Sequence, residues 1–295
     1  MHLTVLVWGF TAILGRLISL TALTLVWYRL VVVVAVMALV VAYRGIGFKI
    51  TRRLLWRFGL VGALVAGHWL SFYGCVKYSG VAIAVLCLST GTFFTAMLEP
   101  IAFRRRPTGA ELLIGLFVMV GVSLLVKLEA KADTLGLLMG LGSSLFASVF
   151  GTINGKLARH ARGELMTLYE LGAAAIVTSF FFVWRPGEFV LPGDVSLRDG
   201  WLLLMLSIVC TVLPWLWSLR VLQTLSPYTL ALAVSLETVY AMTLAWFIFP
   251  GSEQLTWRFY AGAAVLLGLV AANTWIKRPR LPSAEAVAVE LPPRA

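Results

Sequence analysis

Glu237 is the one charged residue between positions 227 and 249, in a run otherwise built of apolar and small uncharged side chains. At a helical rise of ~1.5 Å per residue it lies about 15 Å into that run. If the run crosses a bilayer, this depth is the midplane, where an ionisable group costs several kcal/mol unless it faces a cavity or a partner. Burial disfavours the ionised form, so such a carboxyl can take up and release a proton or hold a cationic group of a solute. The plainer alternative is a protonated acid bonded to a neighbouring helix. A shift of 147 positions lays Thr90 on Glu237. Thr90 belongs to Ser89-Thr90-Gly91-Thr92, a small polar break at similar depth, where a backbone or a solute can approach closely.

His68 stands about 20 Å along another apolar run and is followed by Trp69, Phe72 and Tyr73. The same shift lays His68 on Trp215, beside Pro214, whose ring and missing N–H loosen a helix. Histidine can bind a solute or carry a proton, and a lone one can equally bridge two helices. Trp215, Trp217 and Tyr240 could stack on a solute ring, although packing is the commoner fate of an aromatic.

Arg29 and Glu170 occupy corresponding places in Tyr28-Arg29 and Tyr169-Glu170. Their depths differ by about 10 Å, so each is expected to serve its own half by bonding local carbonyls or gating one end. Glu99, beside Pro100 and the triplet Arg104, Arg105 and Arg106, reads as an interfacial ion pair. Arg16 reads as a snorkelling side chain. The cysteines Cys75, Cys87 and Cys210 fit neither a zinc spacing nor a disulfide framework, and no metal or cofactor is expected. A membrane-embedded enzyme would need clustered His, Asp or Glu, but His2, His68 and His160 lie in separate segments. There is no GxxxxGK[ST] sequence that would signal ATP use. A channel-like facilitator stays open as an alternative.

The elements that must position these groups are membrane helices. The 295 residues are 60% hydrophobic and 13% charged, with mean hydropathy +0.93. A soluble domain carries about 25% charged residues. Apolar runs at 3–20, 21–43, 55–76, 81–103, 110–128, 135–157, 165–184, 201–222, 227–249 and 257–276 predict ten transmembrane helices. The stretch 279–295, rich in Pro, Ala and Glu, predicts a disordered tail. No cleavable signal peptide is expected, and a start upstream of Met1 is left open.

The formal charge is +11, but its lysines and arginines lie in short gaps between runs, which argues against nucleic acid. Arg44, Lys49, Arg52 and Arg53, then the 104–106 triplet, then Lys156, Arg159 and Arg162, then Lys277, Arg278 and Arg280 fall in alternate gaps. By the positive-inside rule these gaps and both termini are cytoplasmic. The 147-residue shift also lays Gly115 on Gly262, and an odd number of helices per repeat forces the second copy to enter from the other side. The reading is two inverted five-helix repeats, 1–132 and 133–278.

VWGFTAILG, WYRL around Arg29, SGVAIAVL with LEPIAFRRRPTGAELLIG, LSPYTLALAVSLETVYAMTLAWFIF and FYAGAAVLLG resemble, in order and spacing, the EamA-type branch of the drug/metabolite transporter superfamily. Thr238 stands where that branch often carries proline. The resemblance implies a ten-helix bacterial inner-membrane permease, exporting a small metabolite such as an amino acid or a drug-like amphiphile without ATP. Its cavity is expected to be lined by His68, Trp69, Thr90, Gly91, Trp215, Glu237 and Tyr240. Arg29, Glu99 and Glu170 are expected as gating or structural groups. The expected partners are the solute and the lipid bilayer; a homodimer is left open.

Overall fold

The computed structural model describes residues 2–129 and 133–249, together with Ala261, Ala264, Val265 and Gly268. The tenth expected helix, those four residues apart, and the tail lie outside the described residues. The described chain is helical: α1 (His2–Leu17), α2 (Ala22–Tyr43), α3 (Arg52–Ser89), α4 (Gly91–Phe103), α5 (Gly109–Glu129), α6 (Thr134–Leu157), α7 (Gly163–Trp184), α8 (Leu197–Leu204), α9 (Leu213–Leu222), α10 (Pro227–Val234) and α11 (Glu237–Ile248). Among the described residues, six stretches are long and apolar enough to span a bilayer. One of these, Arg52–Phe103, has 52 residues, about 78 Å of helix and twice what one crossing needs.

Short polar residues start the helices where the expected gaps lie. Thr21, Thr51, Asp133, Ser196 and Ser226 each accept a backbone N–H of the following first turn. Such caps satisfy donors that a helix leaves open at its start. Gly80, with φ 84°, divides α3 between the third and fourth expected runs. A side chain there would strain the backbone, and glycine does not.

Three expected runs are interrupted. The fourth breaks at Thr90, the C-cap of α3 and the N-cap of α4. The eighth begins at Leu197 and carries a π-helical turn, Met205–Val212, between α8 and α9. Pro214 explains it, because its ring crowds the carbonyl four residues back and its nitrogen donates nothing. The Thr211 hydroxyl bonds Leu206 O at 2.6 Å within that turn. The ninth breaks at Ser235 and Leu236 without proline. There the Ser235 hydroxyl reaches Ala231 O at 3.4 Å and competes with the helical ladder.

The fourth and ninth runs meet at their breaks. Ser89 Oγ and Thr238 Oγ1 are 2.6 Å apart, and Thr92 Oγ1 and Ser235 Oγ are 2.8 Å apart. The reciprocal contacts fix the internal register at 146 rather than 147: Ser89 corresponds to Ser235, Thr92 to Thr238, and Gly91, not Thr90, to Glu237. α4 packs on α6 and α11 on α1, while α2 and α7 pack on each other and α3 lies against α6 and α7.

One face of the bundle carries the α2–α3, α4–α5 and α6–α7 connections with their arginines, and is called the basic face. At the opposite face Ser19 Oγ bonds the Asp199 carboxylate, which also accepts Ser19 N–H at 3.1 Å. Lys77 Nζ donates to Ile18 O at 2.5 Å. The α7–α8 connection is tied to α2, with Thr24 donating to Glu188 O and Tyr28 to Val190 O at 2.6 Å. These bonds lace α1, α2, α3 and α8 together on that side.

Candidate functional site

A cavity of about 150 Å³ lies between the helices. Arg29, Trp69, Trp215 and Glu237 line its inner part, and Asn154, Leu222 and Pro227 line the part near the basic face. Asn154 is in the last turn of α6, Leu222 ends α9 and Pro227 opens α10, so the cavity extends toward that face.

Arg29 is 3% exposed. Its Nε donates to Thr211 Oγ1 at 2.7 Å and its Nη1 to Tyr73 OH at 2.7 Å. The guanidinium carbon lies 3.8 Å from the centroid of Trp69. A planar cation with directed donors and a ring face suits arginine and would not suit lysine. Arg29 was expected to serve its own half by bonding local carbonyls or gating one end; it holds Tyr73 and Trp69 of that half and also reaches Thr211 in the second, where the π-helical turn places that hydroxyl. Glu237 also lines the cavity and has no hydrogen bond to a described residue. Cation and carboxyl thus share one largely apolar chamber, where their interaction is far less screened than in water.

The walls between them are aromatic. Trp69 meets Trp215 edge-on at 5.9 Å, and Phe150 stacks on Trp215 at 5.7 Å with its other neighbour, His68, at 5.5 Å. His68 Nδ1 lies 2.8 Å from Ser143 Oγ and 3.0 Å from Ser143 O. One ring nitrogen is therefore held by α6 while the ring borders the cavity. Trp215 Nε1 is buried and has no acceptor among the described residues.

A model of the EamA-like transporter family matches residues 1–127 and again 134–274. The chain belongs to that family. It is a multi-pass membrane transporter of small solutes, and the two matches make its repeats explicit. No curated protein sequence matches it. A solved structure, titled only as the crystal structure of a protein, shares the fold at TM-score 0.72 with 16% identity, covering 98% of this chain and 97% of that one.

Of the seven residues expected to line the transporter's cavity, His68, Trp69, Gly91, Trp215 and Glu237 do so. Thr90 and Tyr240 do not. Thr90 is buried in a helix contact, bonding Cys87 O at 2.6 Å and Ser144 Oγ at 3.0 Å. Tyr240 turns to α1, where its hydroxyl meets His2 Nδ1 at 3.0 Å and its Cβ faces Gly9. Glu99 pairs with Arg105 at 2.9 Å and accepts Tyr228 N–H at 2.6 Å, while Arg105 also holds Glu111 at 2.8 Å. This knot ties α4, α5 and the start of α10 together at the basic face. Arg16 lies 4.5 Å from the Phe249 ring centroid. Glu170 bonds Asn154 rather than a carbonyl.

Sequence reasoning passed over Phe150, Ser148 and Asn154, all on α6 and all in the cavity wall. A signal existed: Ser144, Ser148, Gly151 and Asn154 recur at helical spacing on one side of a helix whose one charged residue is Lys156 in its last turn. Gly91 packs against the Ser144 and Ser148 hydroxyls, each 3.2 Å from where its Cβ would stand.

Proposed function

We propose that the transporter is a secondary carrier that exports a small metabolite, such as an amino acid or a drug-like amphiphile, by alternating access. Its moving parts are two inverted five-helix repeats, 1–132 and 133–278, in a bacterial inner membrane with both termini cytoplasmic. The observation that carries the reading is a carboxyl with no hydrogen bond to a described residue and a held cation on one aromatic-walled cavity. A solute bearing an amine and an acceptor group around an apolar body matches those walls. Its amine meets Glu237, its acceptor meets Arg29, and its body lies against Trp69, Phe150 and Trp215. The bonds across the opposite face and the cavity's extent toward the basic face support a carrier caught open on one side rather than a pore.

The test is a solute screen in proteoliposomes against empty vesicles, repeated with Glu237→Gln. The variant keeps the shape of the side chain and removes its charge. A charged hydrogen bond contributes about 1.5–3 kcal/mol, so kcat/KM for an amine-bearing solute should fall by about tenfold to a hundredfold. Any pH dependence due to this carboxyl should go with it. Wild-type kinetics and an unchanged pH profile in the variant would make Glu237 a packing residue.

Orientation has its own test. Single cysteines placed at Gly187 and at Arg106, in a background with Cys75, Cys87 and Cys210 replaced, should differ in labelling of intact cells. A membrane-impermeant maleimide should reach position 187 and leave position 106 unlabelled. The reverse pattern inverts the proposed topology and turns the cavity outward.

A further inference from the structure

Asn154 on α6 and Glu170 on α7 are 2% and 0% exposed. Asn154 Nδ2 donates to Glu170 Oε2 at 3.0 Å. The other oxygen of each group, Asn154 Oδ1 and Glu170 Oε1, is buried without a hydrogen-bond partner. If Glu170 is ionised, both orphans are acceptors and the carboxylate's sole polar partner among the described residues is a neutral amide. A buried charge so placed costs several kcal/mol.

Among the described residues no cation pairs with it. Arg29 of α2 is turned to Thr211 and Tyr73, and Arg44 at the end of α2 pairs with Glu164. On α3, Arg52, Arg53 and Arg57 are exposed, His68 is turned to Ser143, and Gly62 lies against the Glu170 backbone oxygen. Lys156 of α6 lies over the Phe103 ring, and Arg220 of α9 is exposed. On α7 itself the Tyr169 hydroxyl bonds Phe48 O.

A carboxylic acid and a primary amide are complementary, each offering a donor and an acceptor in one plane. A proton on Oε1 supplies the donor that Oδ1 lacks, so a single proton satisfies both orphaned atoms. We propose that Glu170 carries a proton in this state, held in a two-bond acid–amide pair with Asn154, and that the pair is a proton-exchange site at the basic-face end of the cavity. Asn154 lines the cavity, which gives the proton its path. On release the Glu170 O–H bond breaks, the proton passes to cavity water as hydronium, and the carboxylate stays bonded to the amide N–H. Resting on the carrier reading above, this gives the transporter a titratable group on α7, apart from Glu237 on α11.

The test is infrared difference spectroscopy of the purified full-length protein in lipid nanodiscs, between acidic and alkaline buffer. The wild type should show the carbonyl stretch of a protonated carboxylic acid at neutral pH, shifting in D2O. That band should be lost in Glu170→Gln and kept in Glu237→Gln. In Asn154→Leu it should move to the higher frequency of an acid lacking a hydrogen-bond partner. Acid bands unchanged by Glu170→Gln overturn the proposal, as does a Glu170 band that fails to shift in D2O over hours. Should Glu170→Gln fail to insert, Asn154→Leu decides, and unmoved bands overturn it. Neither result touches the reading of Glu237, which transport kinetics judge separately.

Discussion

Arg29→Met should abolish transport, lowering kcat/KM more than a hundredfold, and should lower the melting temperature of the purified protein. The methionine fills much of the arginine's volume, so the loss comes from polar groups rather than from a void. Thr211 and Tyr73 each lose a charged donor at 2.7 Å, and the Trp69 ring loses the guanidinium at 3.8 Å. Removing one member of a buried polar arrangement costs about 3–5 kcal/mol, because the groups left behind are stranded away from water. Arg29→Lys should fall between, with transport reduced about tenfold. An ammonium can reach one hydroxyl but cannot present a planar fork to two or lie flat on the indole. Arg29→Met with Glu237→Gln should show less than the sum of the two losses in transport, since the residues would act on the two ends of one solute. Strict additivity would separate Arg29 from solute binding and leave it as a tie between α2, α3 and the π-helical turn.

The places where sequence and structure part company have a common cause. Residue count along an apolar run gives depth, and the five residues Glu237, His68, Trp69, Gly91 and Trp215 that depth grouped together all line the cavity. Depth says nothing of azimuth, and successive residues of a helix point about 100° apart. Thr90 and Gly91 are neighbours, yet only Gly91 meets the cavity. Tyr240 is less than one turn from Glu237 and faces α1. Asn154 carries no charge and so stood out little in an apolar helix, although its amide turns out to hold Glu170. Arg29 was assigned to its own half because its depth differs from that of Glu170; nothing in the sequence puts Thr211 opposite it, and that contact depends on a π-helical turn set by Pro214. The repeat itself was legible, but its register was one residue off until the Ser89–Thr238 and Thr92–Ser235 contacts fixed it. Small hydroxyl-bearing residues gave too little identity to align the halves, while their hydrogen bonds align them without ambiguity.

Gly62→Leu should leave almost no folded, inserted protein, and Gly62→Ala should fold with a clearly lowered melting temperature. At Gly62, α3 packs directly against the α7 backbone. A Cβ on it would collide with Glu170 O, stand 2.6 Å from Ala173 Cβ and lie 2.9 Å from Ala174 N. Two of these three atoms are backbone, so no rotamer change relieves the contact and one helix must move. Overpacking by a single methyl typically costs about 1–3 kcal/mol, and a branched side chain at the same point exceeds what a small shift can absorb. The displaced helix is the one that carries Glu170 against Asn154. Gly62→Ala should therefore also move the Glu170 carbonyl band toward that of Asn154→Leu, even where enough protein folds to be purified. In contrast, Gly59→Ala, one turn earlier with nothing within 4 Å of its Cβ, should fold and melt as the wild type does. Equal melting temperatures for Gly62→Ala and Gly59→Ala, measured in the same detergent, would show that α3 and α7 are not held at this distance in the membrane. The acid–amide pair would then lack the rigid wall that keeps Glu170 buried.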